Sequence, residues 1–247
     1  MAQLWETHLG AHVPFDRTYH MNARTEIASF LAEPPGTVLD VGCGGGATGK
    51  LVKEKFPGTR VIGIEVNEDA AAHARTHLDR VVCAAIDDVD PARDLAGERI
   101  DAVLLLDVLE HLYDPWRALT RMRGWLAPAT RVLASVPNVR NLATLSELAG
   151  GRFDYEANGV LDITHVRFFT RATLGELFTQ TGYDVLRVDP LTQPAAIDRL
   201  VVDRKPGRID TRHVSIRYRS FEDLEELYAL QFVVDARVRA DPPRASP

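Results

Sequence analysis

Short apolar stretches alternate with helix-length segments through the first half of the chain. Two of them, VIGI at 61–64 and DAVLLL at 101–106, are almost continuously apolar, which is typical of strands covered on both faces of a sheet. Strands separated by helices form right-handed βαβ units and a parallel sheet. We predict strands at 37–41, 60–65, 80–84, 100–106 and 130–135, and helices at 22–33, 47–55, 67–77 and 114–126.

The alternation loosens after Pro137-Asn138. The segment QFVVDARV reads as a last strand, which we expect to pair antiparallel with a strand at 183–189 and close one edge of the sheet. Further helices are predicted at 139–149, 171–181 and 221–229.

The length of 247 residues suits one α/β domain. We predict a single domain over 1–240, divided into an amino-terminal arm at 1–21, a loop region at 139–170, and an insertion at 190–229 before the last strand. The Pro-rich end at 241–247 is predicted to be a disordered tail.

The composition argues against several classes of binding partner and cellular location. A net charge of −6 and a pI near 5.8 argue against nucleic acid, because neutralising phosphates needs a basic face. The sequence has no apolar run near the roughly 20 residues that span a bilayer, and no secretion signal is visible. Cys43 and Cys83 are too few for a disulfide framework or a Cys-based zinc site. We therefore expect a cytoplasmic protein that binds neither nucleic acid nor membrane.

A glycine-rich loop, DVGCGGGATGK at 40–50, follows the first predicted strand. Such a loop brings backbone close to a nucleoside triphosphate, a dinucleotide, or a nucleoside without phosphates. Residues 44–50 match the first part of a phosphate-binding loop, but that motif continues with Ser or Thr, and this chain has Leu51.

The dinucleotide fingerprint is also satisfied, by Gly42-x-Gly44-x-x-Ala47 with Glu65 about 20 residues further on. Taken alone this signal is weak, and the Tyr-x-x-x-Lys of a short-chain dehydrogenase is missing from the sequence.

Two carboxylates favour the third ligand. Asp40 lies at the carboxyl end of the first strand, where ligands of open α/β sheets bind. It would repel a pyrophosphate but suits an ammonium or sulfonium group. Glu65, at the end of the second strand, can accept both hydroxyls of a ribose, and hydrogen bonds to a charged acceptor contribute roughly 1.5–3 kcal/mol each.

Three stretches, VLDVGCGGGATG, IGIEVN and DAVLLLDVLEHLYDP, resemble the class I S-adenosylmethionine-dependent methyltransferases. The resemblance covers about residues 20–190. It implies a Rossmann-like, mainly parallel sheet of seven strands with an antiparallel last strand and helices on both faces. It also implies S-adenosylmethionine as cofactor.

The resemblance places Asp40, Gly42 and Gly44 around the methionine part, Glu65 on the ribose, and Ile86 against the adenine ring. Many relatives carry an acid at the position of Ala85, so the adenine contact of Asp87 stays open. Cys43 is better explained as a small buried residue than as a reactive thiol. The predicted cofactor contacts are Asp40, Gly42, Cys43, Gly44, Glu65, Val66, Ile86, Asp87, Leu106 and Asp107, with Tyr19 and Arg24 from the arm folding over the cofactor.

The segment from Val136 to Phe178 is similar to bacterial methyltransferases of cell-surface glycan and specialised-metabolite pathways, in its PN, G-x-F-x-Y, G-x-L-D-x-T-H and R-F-F-T motifs. It supplies the methyl-acceptor side. His165 and His111 are the candidate catalytic bases, with Asp107 beside them, because histidine titrates near neutral pH. Asp162 would orient His165 or join it as a metal ligand. Without a third ligand nearby in the sequence, no metal is predicted.

The sequence therefore predicts an enzyme that methylates a small-molecule acceptor, most simply a hydroxyl of a sugar or specialised metabolite. Methylation of an amine and a non-catalytic S-adenosylmethionine-binding module are the alternatives, and RNA is disfavoured by charge. The apolar face of the 221–229 helix would serve either a homodimer interface or packing on the sheet.

Overall fold

The computed structural model describes residues 20–31, 33–191 and 206–240. Tyr19 with most of the predicted arm, part of the insertion at 190–229, and the predicted tail at 241–247 lie outside these residues. The strands are β1 Thr37–Val41, β2 Arg60–Glu65, β3 Arg80–Cys83, β4 Ala102–Leu106, β5 Arg131–Pro137, β6 Tyr183–Leu191, β7 Gly207–Asp210, β8 Ser215–Tyr218 and β9 Gln231–Val238. The helices are α1 Ile27–Phe30, α2 Ala47–Lys55, α3 Glu68–Ala74, α4 Pro91–Asp94, α5 Pro115–Arg123, α6 Leu142–Ala149, α7 Arg171–Gln180 and α8 Phe221–Tyr228.

Seven of the strands form one sheet in the order β3-β2-β1-β4-β5-β9-β6. The pairs from β3 to β5 are parallel, and β9 runs antiparallel to both β5 and β6. This confirms the predicted fold class and the antiparallel pairing of the last strand with 183–189. Apolar side chains cover both faces of the sheet, as the continuous apolar runs predict.

The strand order places a crevice between β1 and its two neighbours. Because β2 and β4 flank β1, the connections leave β1 in opposite directions, and this is where open α/β sheets bind ligands. The register pairs Val41 with both Ile64 and Leu105, so the residues after β1, β2 and β4 emerge side by side.

Three segments differ from the prediction. The short helix α4 was not predicted. The helix expected over 22–33 is a single turn, Ile27–Phe30, preceded by a turn at 25–26. The insertion contains a two-stranded antiparallel hairpin, β7–β8, that the sequence analysis did not predict.

The apolar face of α8 is covered within the chain. Leu224 and Leu227 are buried, and they pack with Tyr218 of the hairpin and with partly buried residues of α6. The helix therefore packs on the hairpin and α6, and it gives no support to a homodimer interface. Among the described residues, no helix is long and apolar enough to cross a membrane.

Candidate active site

The glycine loop joins β1 to α2 at the carboxyl edge of the sheet. Gly42, Gly44 and Gly46 have φ values of +67°, +54° and +83°, which side chains rarely adopt. At Gly42 a Cβ would also lie 2.7 Å from a methyl of Val108. The loop thus needs glycine both for its backbone conformation and for its close approach to the segment after β4.

Glu65 is held rigidly at the end of β2. Its two carboxylate oxygens accept hydrogen bonds from the backbone N–H groups of Gly44 and Asn67, each at 2.8 Å. Because a carboxylate has about four acceptor sites, both oxygens can still accept hydroxyl protons. The geometry suits the predicted ribose contact, which stays a prediction.

Asp40 lies beneath the glycine loop and is 2% exposed. Its Oδ2 atom has no hydrogen-bond partner among the described residues. Burial, and secondly the charge of Glu65, raises the pKa of Asp40 to about 7. A buried carboxylate without a counter-charge is the environment that a nearby cationic group would stabilise.

The end of the amino-terminal arm rests on the loop. The carbonyl of His20 accepts a hydrogen bond from the N–H of Gly45 at 2.8 Å, and the N–H of Arg24 donates to Thr48 at 3.2 Å. A Cβ on Gly44 would lie 2.7 Å from the same His20 oxygen. These contacts bring the arm over the predicted methionine end of the site.

Asp107 lies at the centre of a hydrogen-bond network just after β4. It has a φ of +56°, and its carboxylate accepts from Ser135 at 3.1 Å and from Gln231 at 2.9 Å. Arg24 forms an ion pair with Asp107 and also binds Glu26. Sequence analysis placed Arg24 in the arm that folds over the cofactor; here its guanidinium is already engaged by protein carboxylates.

The other predicted cofactor residues line the same edge with different exposure. Cys43 is buried, and burial raises the pKa of its thiol well above the ordinary value, in agreement with a structural role. Ile86 is buried, Asp87 is exposed, Leu106 is half-buried and Val66 is 69% exposed. Because most of the Val66 side chain is exposed, Val66 would contact the cofactor either through its backbone or with a side chain that covers the ligand from the solvent side.

His111 and His165, far apart in sequence, meet in the fold. Their rings are arranged edge to face with centroids 4.8 Å apart. The loop that carries His165 is fixed to the turn after β4, because the N–H groups of Val166 and Arg167 donate to the carbonyl of Glu110 at 2.9 and 3.0 Å. Burial, and secondly the charge of His165, lowers the pKa of His111 below its ordinary value.

Glu110 is the functional candidate that sequence reasoning missed. It is 1% exposed, and neither of its carboxylate oxygens has a hydrogen-bond partner among the described residues. Burial, and secondly the charge of Asp107, raises the pKa of Glu110 well above its ordinary value. The Glu-His doublet after β4 was the available signal. Ser135 and Gln231 were also missed, since only the fold brings them to Asp107.

Two surface cavities lie away from this edge. One of about 460 Å³ is on the β7–β8 hairpin, and one of about 450 Å³ is at the opposite, amino edge of the sheet beside Gly36 and Asp101. None of the predicted site residues lines either cavity, so cavity volume does not mark the site.

Comparison with known proteins identifies the class. A family model described as a methyltransferase domain matches residues 15–188, well over half of the chain. The chain therefore belongs to the methyltransferase-domain family. It is an S-adenosylmethionine-dependent methyltransferase.

Relatives of known name support this assignment. The chain is 29% identical to a ubiquinone biosynthesis O-methyltransferase of Pseudomonas paraeruginosa over 168 residues, 64% of this chain and 70% of that protein. It is 31% identical to the protein of the same name from Bradyrhizobium diazoefficiens over 107 residues, 41% of this chain and 40% of that one. The match thus spans less than half of the second relative.

Solved structures share the fold. A SAM-dependent methyltransferase from Archaeoglobus fulgidus superposes with a TM-score of 0.60 at 20% identity, covering 90% of this chain and 97% of that one. The magnesium protoporphyrin IX methyltransferase of Synechocystis, solved with bound SAH, gives a TM-score of 0.54 at 16% identity, covering 87% and 81%.

The residues present fit S-adenosylmethionine, which supplies a methyl group on a positively charged sulfur. The glycine loop leaves no room for side chains at Gly42, Asp40 offers an unpartnered buried carboxylate, and Glu65 retains acceptor capacity. A cationic nucleoside without phosphates matches these three features together.

Proposed function

We propose that this enzyme methylates a hydroxyl group of a small molecule, most simply a sugar or a specialised metabolite. Within that proposal Asp40 and the glycine loop hold the methionine part, and Glu65 holds the ribose. Ile86 and Asp87 lie beside the adenine. Asp107 and the two histidines face the acceptor.

The observation that carries the proposal is the histidine pair on the cofactor edge. His111 follows the same turn as Asp107, and His165 stands 4.8 Å from it between ring centroids. A hydroxyl acceptor must lose its proton before or as it attacks the methyl group, and a positioned base contributes typically 10²–10⁴-fold to the rate. Neutral amines need no such help, so the pair favours oxygen over nitrogen.

Three aromatic side chains of the loop region that carries His165 suit an acceptor with an apolar face. Phe153, Tyr155 and Phe168 are 37–52% exposed, and their rings meet edge to face at centroid distances of 5.6 and 5.7 Å. Aromatic walls with a few polar groups are typical of small-molecule sites. The C–H face of a sugar would pack on such rings.

The relatives named as O-methyltransferases also support an oxygen acceptor. These relatives are named for ubiquinone biosynthesis, so we also compare oxygen acceptors other than sugars. The net charge of −6 gives no support to RNA.

The reaction itself is an in-line displacement at carbon. The oxygen lone pair forms the new C–O bond, the C–S bond breaks with its electron pair left on sulfur, and the hydroxyl proton goes to the base. Aligning the two reactants supplies roughly 7–11 kcal/mol of the barrier reduction.

A pair of variants separates the cofactor role from the acceptor role. We expect Glu65→Gln to weaken S-adenosylhomocysteine binding at least tenfold, measured by calorimetry, because the ribose loses a charged acceptor. We expect His165→Gln to bind S-adenosylhomocysteine as the native enzyme does but to lose at least 100-fold in turnover.

Turnover is followed as S-adenosylhomocysteine formation with a panel of methyl glycosides, nucleotide-linked sugars, catechol and amino sugars. His77→Gln, on the segment after α3, is the matched control and should change neither property. Methyl transfer to an amino group alone would replace the proposal with N-methylation. Equal loss of binding and turnover in His165→Gln would make that histidine structural.

A further inference from the structure

Glu110, His111 and His165 form one compact cluster, named here the Glu-His-His cluster. One ligand atom from each residue lies within 4.8 Å of the others. Ligands that share an ion at about 2.1 Å are separated by up to about 4 Å, so small side-chain rotations would bring all three onto one ion. The sequence alone does not predict this cluster, because His165 follows His111 some fifty residues later in the chain.

The hydrogen bonds of the imidazoles leave the same nitrogen free on each ring. Nδ1 of His165 lies 3.2 Å from the carbonyl of Val160, which can only accept, so this nitrogen carries the proton. Nδ1 of His111 lies 3.1 Å from the Thr164 hydroxyl and 3.4 Å from the Thr164 carbonyl, and it likewise donates. Both Nε2 atoms therefore present a lone pair.

The carboxylate of Asp162 is linked to the His111 ring through the hydroxyl of Thr164. The Thr164 hydroxyl donates to Asp162 at 2.6 Å while it accepts from His111, which forms a carboxylate–hydroxyl–imidazole chain. Metal-binding histidines almost always donate their other ring N–H to a carboxylate, a carbonyl or water, because this fixes the ring and raises its basicity. Both histidines of the cluster have such an acceptor.

The carboxylate of Glu110 is the second, independent observation. It is 1% exposed, without a hydrogen-bond partner among the described residues, and the carboxylates of Asp107 and Asp162 act on it together with the nearby cation Arg24, which Asp107 and Glu26 already engage. Burying an unpaired carboxylate costs several kcal/mol. A cation held by Glu110 and the two histidines would remove that cost.

We propose that Glu110, His111 and His165 bind a divalent first-row transition-metal ion such as Mn²⁺, Co²⁺ or Zn²⁺. Two imidazoles and one carboxylate are a ligand set that suits these ions, whereas Mg²⁺ and Ca²⁺ favour oxygen ligands. Three protein ligands leave open positions for water or for an acceptor oxygen.

The catalytic use of the ion rests on the proposed function. A divalent ion acts as a Lewis acid, so it would lower the pKa of an acceptor hydroxyl beside it. The O–H proton then leaves to solvent, and the oxygen lone pair forms the C–O bond. With the ion bound, His165 serves as a ligand, so the direct base role proposed above applies to the enzyme without the ion.

Cobalt titration tests the binding without needing an acceptor. Full-length enzyme is treated with EDTA, dialysed, and titrated with CoCl₂ while visible absorption and calorimetric heat are recorded. We expect one Co²⁺ per chain, with d–d absorption bands, in the native enzyme. His77→Gln is the matched control, since the rings of His73 and His77 meet edge to face with centroids 5.6 Å apart and could bind Co²⁺ adventitiously.

Each of Glu110→Gln, His111→Gln and His165→Gln should bind Co²⁺ at least tenfold more weakly than the native enzyme. S-adenosylhomocysteine binding and the melting temperature show whether each variant is folded. A native enzyme that binds S-adenosylhomocysteine but no Co²⁺ would overturn the metal site alone. So would Co²⁺ binding that survives in the three folded variants, or that disappears in His77→Gln. Loss of S-adenosylhomocysteine binding in the native enzyme would instead reject the cofactor roles proposed above.

Discussion

The carboxyl group of Asp40 couples the protonation of one residue to the stability of the fold. Its pKa is about 7 in the folded chain against 3.8 in the absence of structure, chiefly because of burial. A raised carboxyl pKa means that the folded state binds the proton more tightly. The resulting stabilisation is fully present below pH 3.8 and is lost as pH rises through 7.

We therefore expect the native enzyme without cofactor to lose about 3 kcal/mol of unfolding free energy from this group between pH 5 and pH 8, since one pKa unit corresponds to about 1.4 kcal/mol. Asp40→Asn should lack this component, because the amide does not titrate. Urea unfolding of both proteins at the two pH values measures the difference. Parallel pH profiles for the two proteins would contradict the shifted pKa.

Among individual residues, the sequence placed best those at the carboxyl ends of strands. Asp40 and Glu65 stand at the ends of β1 and β2, so strand prediction alone brings them to one edge. Glu110 could not be placed in the same way. Its burial and its contact with the His165 loop depend on tertiary packing that a local pattern does not encode.

Among the elements, α8 is attached to the segment after β5 through two buried amides, of which Asn141 donates to the carbonyl of Ala229 at 3.1 Å. The Nδ2 atom of Asn138 donates to the carbonyls of Glu226 and Ala229 at 2.8 and 3.0 Å, and its side-chain oxygen accepts from the N–H of Arg140. Asn138 is fully buried. The PN motif after β5 thus satisfies carbonyls at the end of α8.

We expect Asn138→Ala to destabilise the fold by about 2 kcal/mol, since the Glu226 carbonyl loses this donor while the Ala229 carbonyl keeps Asn141, and a carbonyl left without a donor costs roughly 1–3 kcal/mol. Thermal unfolding measures the loss. Asn158→Ala, at an exposed position in the 151–170 loop, is the matched control and should be nearly neutral. A native melting temperature for Asn138→Ala would show that α8 is held by its other contacts.

The elements that sequence patterns missed are the short ones. Strands β7 and β8 have four residues each, with Ile209 and Ile216 inward and Arg208 and Arg217 outward. Four residues give too few alternations to distinguish a strand from a polar loop. By contrast, α2 and β2 were predicted to the residue, because the glycine loop and apolar runs fix their ends.

At the scale of the whole molecule, residues from many parts of the chain form the predicted cofactor site. The proposed cofactor residues come from the arm and from the ends of β1, β2, β3 and β4, while β5 and β9 fix Asp107. A ligand that binds only the folded state stabilises it by about 2.7 kcal/mol at a concentration of 100 times its Kd.

We accordingly expect saturating S-adenosylhomocysteine to raise the melting temperature by roughly 5–10 °C, because 1 kcal/mol shifts a domain of this size by about 2–4 °C. Differential scanning calorimetry should show one transition that moves as a unit. Glu65→Gln is the control that should respond least. Two transitions, of which only one shifts, would mean that the halves of the sheet unfold independently.

The network at Asp107 has a consequence for biosynthesis. Arg24 and Gln231 both bind its carboxylate, although more than two hundred positions separate them along the chain. A nascent polypeptide that ends before β9 has neither Gln231 nor the strand that lies between β5 and β6. The predicted site is therefore completed only after β9 has been synthesised and has left the ribosome.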